Sequence, residues 1–411
     1  MGVLAINGGV PVKAEIGGYA GWPAGNDDMV NVVLNTLHSG VWGGFGLKCA
    51  EFAALCAQYT QSSHCLPVSN GTAALELMLR ALEIGRGDEV ILPPYTFTAT
   101  VSAVIMTGAM PVFADIDPCT YNLCPQAAEN AVTGNTKAII TVHVGGKPSD
   151  MERLKAVAKR HMVYLVEDAA QAIGSEWDGK RVGAIGDLGS FSFQETKNLP
   201  AGEGGVITTH NAALYEKMRS LHNYGRVLGA GDSSRLFPGI NARMPEWQAA
   251  VLCEGMKRLD ADIERRMKNA IFLDERIGMF PFLETMRKPM KETRNSYHLY
   301  MFKYKREGLD GISRETFIEA LNAENVCQAA NGYSVPIYEN RMMYGDEFVK
   351  ATGRMFSNPK ESLPNNEKAA RAEGVWIFHS SLLGGQSDME MILEAMDKIW
   401  KHKHELQGRC G

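Results

Sequence analysis

Between Gly71 and His210 six short apolar runs recur: "DEVILPP", "MPVFADID", "KAIITVHV", "VYLVEDAA", "LGSFSF" and "GGVITTH". Each is rich in β-branched or aromatic residues and bounded by Gly, Pro or Asp, as buried strands are. Helical stretches lie among them. "GTAALELMLRALEI" sets Ala74, Leu75, Met78, Leu79 and Leu82 at helical spacing, and "DMERLKAVAKRH" is amphipathic. Strand-helix-strand alternation leaves a chain one main solution, a largely parallel sheet with right-handed crossovers and helices on both faces. In such α/β sheets ligands collect at the carboxyl ends of the strands.

The 411 residues exceed what one small core needs, so two domains are expected. The segment "NARMPEWQAAVLCEGMKRLDADIERRMKNAIFLDERI" reads as one long, charge-laced helix, after which "SYHLYMFKYK" opens a different pattern. A large α/β domain over residues 1–250, its N-terminal arm included, and a smaller C-terminal α+β domain over 251–411 are predicted. With no low-complexity linker between them, the two are expected to pack together.

Several functions are disfavoured by composition. The net charge is −5 with both signs mixed along the chain, so nucleic acid is not expected as a partner. No run approaches the roughly 18 apolar residues of a membrane helix. The start "MGVLAINGGVPVKAE" lacks the basic and apolar regions of a signal peptide, and Ile6 stands where a myristoylation motif wants Ser or Thr. A cytoplasmic protein follows as the expectation. Eight cysteines form no CxxC pair, and His402 and His404 lack further ligands at metal spacing, so no metal site is predicted. GxGxxG after a strand, GxxxxGK[ST], HExxH and GxSxG are all missing.

What remains is a set of single residues at strand ends. Gly71 and Thr72 open a helix whose free N–H groups suit an anion, although Thr72 also fits a plain N-cap. Asp168, beside Glu167, ends an apolar run where a carboxylate needs a cationic partner; a helix cap or an interdomain salt bridge would serve equally. Ser192 and Lys197 follow another run, and the glycines of "GEGG" strip bulk from the chain near the lysine. Tyr95 and Phe97 offer an aromatic face for a flat ring, with core packing as the alternative. An amine, a buried carboxylate, an anion nest and an aromatic plate together suit pyridoxal 5′-phosphate: the amine for a covalent link, the carboxylate for the ring nitrogen, the nest for the phosphate.

The ordered segments "LAINGGVPV", "VSNGTAALEL", "PPYTFTAT", "VHVGG", "VEDAAQAIG", "GDLGSFSFQETKNLPAGEGG" and "GINARMPEWQAAVL" span nearly the full length. Through them the chain resembles the DegT/DnrJ/EryC1/StrS family of aminotransferases. That resemblance implies the aspartate-aminotransferase fold (fold type I of the pyridoxal phosphate-dependent enzymes). It also implies transfer of an amino group from glutamate or glutamine to a cyclic ketone by a ping-pong, Schiff-base route. By matching position, Lys197 would carry the cofactor covalently and Asp168 would face its ring nitrogen. Gln171 would lie near the ring hydroxyl and Phe97 would stack on the ring. Gly71, Thr72 and Ser192 would hold the phosphate, joined by Asn241 of a neighbouring subunit, which implies a homodimer with shared active sites. His143 matches a position lining the site, where a structural histidine fits as well.

"NGTAALEL", "TYNLCP", "NSYHLYMF" and "VWIFHSSLL" are similar to the branch of scyllo-inosose aminotransferases and 3-amino-5-hydroxybenzoate synthase. That branch tends to carry paired histidines where this chain has Phe378-His379. A keto-cyclitol acceptor is implied, with a keto-sugar open. An aromatising or dehydrating enzyme of the same fold is the alternative, and a non-catalytic ligand sensor the remaining one.

Overall fold

The computed structural model describes residues 2–14, 21–227 and 236–408. Six of the seven strands of its main sheet are the expected runs: β2 (Glu89–Leu92), β3 (Met110–Phe113), β4 (Thr136–Val142), β5 (Tyr164–Asp168), β8 (Leu188–Ser192) and β9 (Gly205–Thr209). The seventh, β1 (His64–Val68), was not anticipated, because Pro67 and His64 blur its pattern. A proline lacks the ladder N–H and suits an edge, and β1 is an edge strand bonded only to β9. The spatial order is β1-β9-β8-β5-β4-β2-β3. All neighbours are parallel except that β9 runs antiparallel to both β8 and β1. A short hairpin, β6 (Glu176–Trp177) and β7 (Lys180–Arg181), lies between β5 and β8.

Successive side chains on a strand point to opposite faces, and here both faces are covered. Val90, Leu92, Ile140 and Val166 meet helices α3 (Gly71–Ala81), α4 (Thr98–Thr107) and α7 (Ala212–Leu221). Ile91, Ile139, Leu165 and Phe191 meet α2 (Leu47–Thr60) and α6 (Met151–His161) on the other face. Helix α5 (Pro125–Asn130) joins this layer through Ala128, whereas α1 (Asp27–His38) buries only Thr36.

Helix α8 (Glu246–Ile277) runs unbroken for 32 residues across the predicted boundary at residue 250. Leu252, Leu259 and Ile263 belong to the core under the main sheet, while Ala270, Leu273 and Ile277 belong to the C-terminal core. The C-terminal sheet is antiparallel, ordered β10 (Leu283–Thr285), β12 (Leu299–Tyr304), β14 (Gly374–Phe378) and β13 (Ala329–Ala330). Helices α9 (Arg314–Ala323) and α12 (Gln386–Lys401) pack on it, and α10 (Asp346–Thr352) and α11 (Pro364–Lys368) connect β13 to β14. Strand β11 (Glu292–Arg294) pairs back onto β6, which ties the two units together. The start of the N-terminal arm is bonded to the C-terminal part of the chain. Leu4 sits in the C-terminal core, and the N–H groups of Val3 and Ala5 donate to Glu405 (2.9 Å) and Glu324 (3.0 Å).

No described helix is long and apolar enough to cross a membrane. Seven of the eight cysteines are among the described residues and all are free; Cys410 lies outside them.

Candidate active site

Val142, Asp168 and Ser192 are the last residues of β4, β5 and β8, and all three line one cavity of about 880 Å³. Its far wall comes from the C-terminal unit: His298, Leu299, Tyr333, Trp376 and Phe378. Of the eight site residues predicted from sequence, Gly71, Thr72, Phe97, Asp168, Gln171, Ser192 and Lys197 line this space. Asn241 does not. Its backbone pairs with Asn223, and the residue is exposed.

Asp168 is 5 % exposed. Its Oδ2 accepts the Thr100 hydroxyl at 2.7 Å, and its Oδ1 accepts the Ala170 N–H at 3.2 Å. Burial raises its pKa above the usual carboxylate value of 3.8, outweighing those two bonds and the opposing pull of Lys197. Glu167, one residue earlier, points to the other face, as a strand requires. Its oxygens accept the N–H groups of Gly183 (2.7 Å), Ile185 (2.7 Å) and Gly186 (2.6 Å), and approach His143 Nε2 at 3.0 Å. His143 Nδ1 accepts the Ser149 N–H at 3.0 Å, so the ring proton sits on Nε2 and faces the carboxylate. Both ring nitrogens are thus engaged, and His143 acts in the framework beneath the site.

Lys197 lies in the loop between β8 and β9. The Phe193 N–H donates to Gly204 O at 2.8 Å and the Glu195 N–H to Gly202 O at 3.0 Å, which folds the loop back on itself. Gly202 (φ 77°) and Gly204 (φ 156°) take left-handed backbone there, the freedom that "GEGG" provides. Among the described residues no hydrogen bond or ion pair reaches Lys197 Nζ. Burial lowers its pKa, with Asp168 opposing, so the neutral amine is favoured relative to a surface lysine.

At the start of α3 the cap is Asn70, whose Oδ1 accepts the Ala73 N–H at 2.8 Å. Thr72 is therefore not the N-cap, and the first turn presents Gly71 and Thr72 to the cavity. A Cβ at residue 71 would lie 3.0 Å from Ser192 Cβ, so any larger residue would require Ser192 to give way by a few tenths of an ångström. Phe97 lines the cavity and is 62 % exposed. Tyr95 is fully buried against Tyr121, Tyr333 and Trp376, which makes it a packing residue instead of a stacking plate.

Gln171 is preset by two bonds: Oε1 accepts the Gly145 N–H at 2.7 Å, and Nε2 donates to Tyr333 Oη at 2.9 Å. Tyr333, Trp376, His298 and Thr100 were not anticipated as site residues. "NSYHLYMF" and "VWIFHSSLL" hold two of them, but nothing local to those segments shows that the C-terminal sheet closes over α3. Elsewhere, His402, His404 and Glu405 bring ligand atoms within 4.8 Å of one another, a juxtaposition not foreseen. Glu405 already accepts the Val3 and Leu4 N–H groups there.

The cavity fits pyridoxal phosphate on its own chemistry. It offers a buried carboxylate and a half-buried amine, neither in an ion pair among the described residues, with an open helix start suited to a phosphate.

A model of the DegT/DnrJ/EryC1/StrS aminotransferase family matches residues 23–373. The chain is 35% identical to the L-glutamine:2-deoxy-scyllo-inosose aminotransferase of Micromonospora echinospora, covering 99% of this chain and 100% of that one. The enzyme of the same name from Streptomyces kanamyceticus is 36% identical, with 97% of each chain covered. Among solved structures, 3-amino-5-hydroxybenzoic acid synthase superposes with a TM-score of 0.83 at 32% identity, covering 92% of this chain and 98% of the other. An aminotransferase from Psychrobacter cryohalolentis gives 0.84 at 27% identity, over 94% and 100%. The sheet, the cavity and these likenesses agree: the chain is a pyridoxal phosphate-dependent transferase of fold type I and belongs to the DegT/DnrJ/EryC1/StrS aminotransferase family.

Proposed function

We infer that the protein moves an amino group from L-glutamine, or L-glutamate, to a cyclic ketone of the keto-cyclitol class, with Lys197 as the covalent attachment point of the cofactor. One observation carries this reading: buried Asp168 and half-buried Lys197 share a cavity, and neither has an ion-pair partner among the described residues. Uncompensated buried charge costs several kcal/mol, roughly 3–5, so such a pair is retained for a ligand that completes it. The names of the relatives support glutamine as donor and a deoxy-inosose as acceptor.

Bound pyridoxal phosphate supplies an aldehyde that carries the amino group and a ring that withdraws electrons. Asp168 would hold a proton on the ring nitrogen. The N–H groups of Gly71 and Thr72, with the Thr72 and Ser192 hydroxyls, would bind the phosphate. Phe97 and Gln171 would bound the ring. Lys197 Nζ, whose pKa burial lowers, would take the proton from the donor's α carbon and return it two atoms away, across the nitrogen being transferred. Donor and acceptor use the same cavity in turn, which gives ping-pong kinetics.

The test separates the halves. Glutamine alone should shift the absorption of the bound cofactor, and 2-deoxy-scyllo-inosose should reverse the shift. No response to either glutamine or glutamate would refute the reading. A second reading, an aromatising synthase, is favoured by the likeness to 3-amino-5-hydroxybenzoic acid synthase. Amide-labelled ¹⁵N-glutamine does not separate the two, since the transferred nitrogen is the α-amino group; α-¹⁵N-glutamine does. Labelled nitrogen appears in the product of transamination, whereas an aromatising enzyme acts on a ring already aminated and yields water.

The active form is a homodimer in which Asn241 of one copy reaches the phosphate of the other. Val30, Leu34, Val41, Trp42 and Phe45 form an exposed apolar band that supports a second copy as its cover. The enzyme works in the cytoplasm, in keeping with the free thiols of Cys49, Cys56, Cys65 and Cys327 in the interior.

A further inference from the structure

His298 immediately precedes β12, lines the cavity beside Lys197, and has had no role so far. Its ring is held on two sides. Nδ1 lies 3.2 Å from Asn198 Oδ1, and Asn198 Nδ2 donates to Ser296 O at 2.8 Å. The carbonyl of Ser296 only accepts, so the Asn198 amide is oriented with its nitrogen toward Ser296 and its oxygen toward His298. That oxygen also only accepts, which puts the proton of His298 on Nδ1 and a lone pair on Nε2.

The ring plane is set by His379, stacked at 5.4 Å with an interplanar angle of 28°. His379 is fixed in turn: the guanidinium of fully buried Arg266 donates to its Nδ1 at 3.3 Å, and its Nε2–H donates to Thr196 O at 2.9 Å. The charged or titratable groups that act on His298 are Lys197, His379 and Arg266, all of them basic. Burial, reinforced by these groups, holds its pKa well below 6.5, which favours the neutral ring.

Among the described residues Nε2 of His298 has no hydrogen-bond partner. The rest of the wall supplied by the C-terminal unit is Leu299, Trp376, Phe378 and Tyr333, and the Tyr333 hydroxyl is already bonded to Gln171. That wall therefore combines apolar and aromatic surface with a single disengaged acceptor. A polyhydroxylated ring matches it, with C–H faces for the aromatic side chains and O–H groups for the nitrogen.

We propose that His298 is a substrate-binding residue whose Nε2 accepts a hydrogen bond from a ring hydroxyl of the cyclic acceptor. The assignment rests on the keto-cyclitol reading above. A neutral hydrogen bond of this kind is worth about 1 kcal/mol, or roughly fivefold in affinity.

The probe is scyllo-inositol, which has the hydroxyls and no ketone, titrated calorimetrically into the cofactor-loaded enzyme. His298→Asn keeps a donor for Asn198 and lacks reach into the cavity; His298→Gln places an amide oxygen near the position of Nε2. Binding should weaken roughly fivefold in His298→Asn and stay within about twofold of wild type in His298→Gln. In steady-state kinetics the KM for the ketone should rise at least fivefold more than the KM for glutamine, by the same hydrogen-bond energy. Equal binding in wild type and His298→Asn overturns the proposal. So does a loss that falls on glutamine, a loss equal in both variants, or no binding of scyllo-inositol to the wild type. Should His298→Asn fail to fold, the wild type alone decides. Its affinity for scyllo-inositol should be flat between about pH 6 and 8, and a decline on acidification through the imidazole range contradicts a neutral acceptor. The cofactor response to glutamine alone reports on the transaminase reading independently.

Discussion

The Thr100 hydroxyl donates to Asp168 Oδ2 at 2.7 Å, joining the first turn of α4 to the last residue of β5. Through that bond a helix on one face of the sheet orients the carboxylate at its centre. Thr100→Val removes the bond at nearly constant volume. We expect kcat/KM to fall roughly threefold to tenfold, the effect of one lost hydrogen bond. Steady-state assay of the variant checks it. Asp168→Ala should lose far more, on the order of a thousandfold, as other preorganised charge-stabilising groups do when removed.

Asp168→Asn should also change stability without cofactor, and with a definite sign. The folded-state pKa is raised, so the charged form destabilises the fold as pH rises above the unfolded value of 3.8. Below that value both proteins carry a neutral group and should melt alike. As pH rises above it, the cofactor-free variant should become the more stable, read as a higher Tm than that of the wild type. Thermal melts across that range provide the measurement, and a variant less stable at pH 7 contradicts the assignment.

Lys197→Ala should abolish transamination while leaving the cofactor bound without a covalent link. Borohydride treatment followed by peptide mass spectrometry should find the label on residue 197 of the wild type and nowhere in the variant. Near-normal turnover in the variant would be incompatible with the role given to the amine.

Glu167→Ala should behave oppositely to Asp168→Ala, although the two residues are adjacent. Three backbone N–H groups and the His143 ring lose their acceptor, so the cost falls on folding, roughly 3 kcal/mol or more. Chemical denaturation measures it. Well below the melting temperature, kcat should change less than about threefold, since the lost bonds face away from the cavity.

Shared sites in a dimer predict complementation. Lys197→Ala and Asn241→Ala, each impaired alone, should regain activity when unfolded and refolded together, because half of the sites in a mixed dimer then hold both intact residues. If mixing restores nothing, Asn241 does not serve a neighbouring site.

Local sequence determined the fold class through period and punctuation. Apolar runs that end at Asp168 and Ser192 can only be buried strands, and a helix opening on Gly71-Thr72 can only show its first N–H groups to whatever lies beyond those ends. Such features act over a few residues, which is why the framework of the site was legible along with its lysine and aspartate. Pro67 concealed β1 because tolerance of a proline depends on a strand's place in the sheet, which no local pattern carries. Which of Glu167 and Asp168 faces the cavity, which of Asn70 and Thr72 caps α3, and whether Tyr95 or Phe97 is open were all settled by tertiary packing. The wall of His298, Tyr333 and Trp376 lies a hundred residues or more from Lys197 or Asp168 in the chain. Only the return of α8 and the C-terminal sheet over the end of β5 brings them together, since long-range contacts are chosen by the burial of whole faces and not by any one segment.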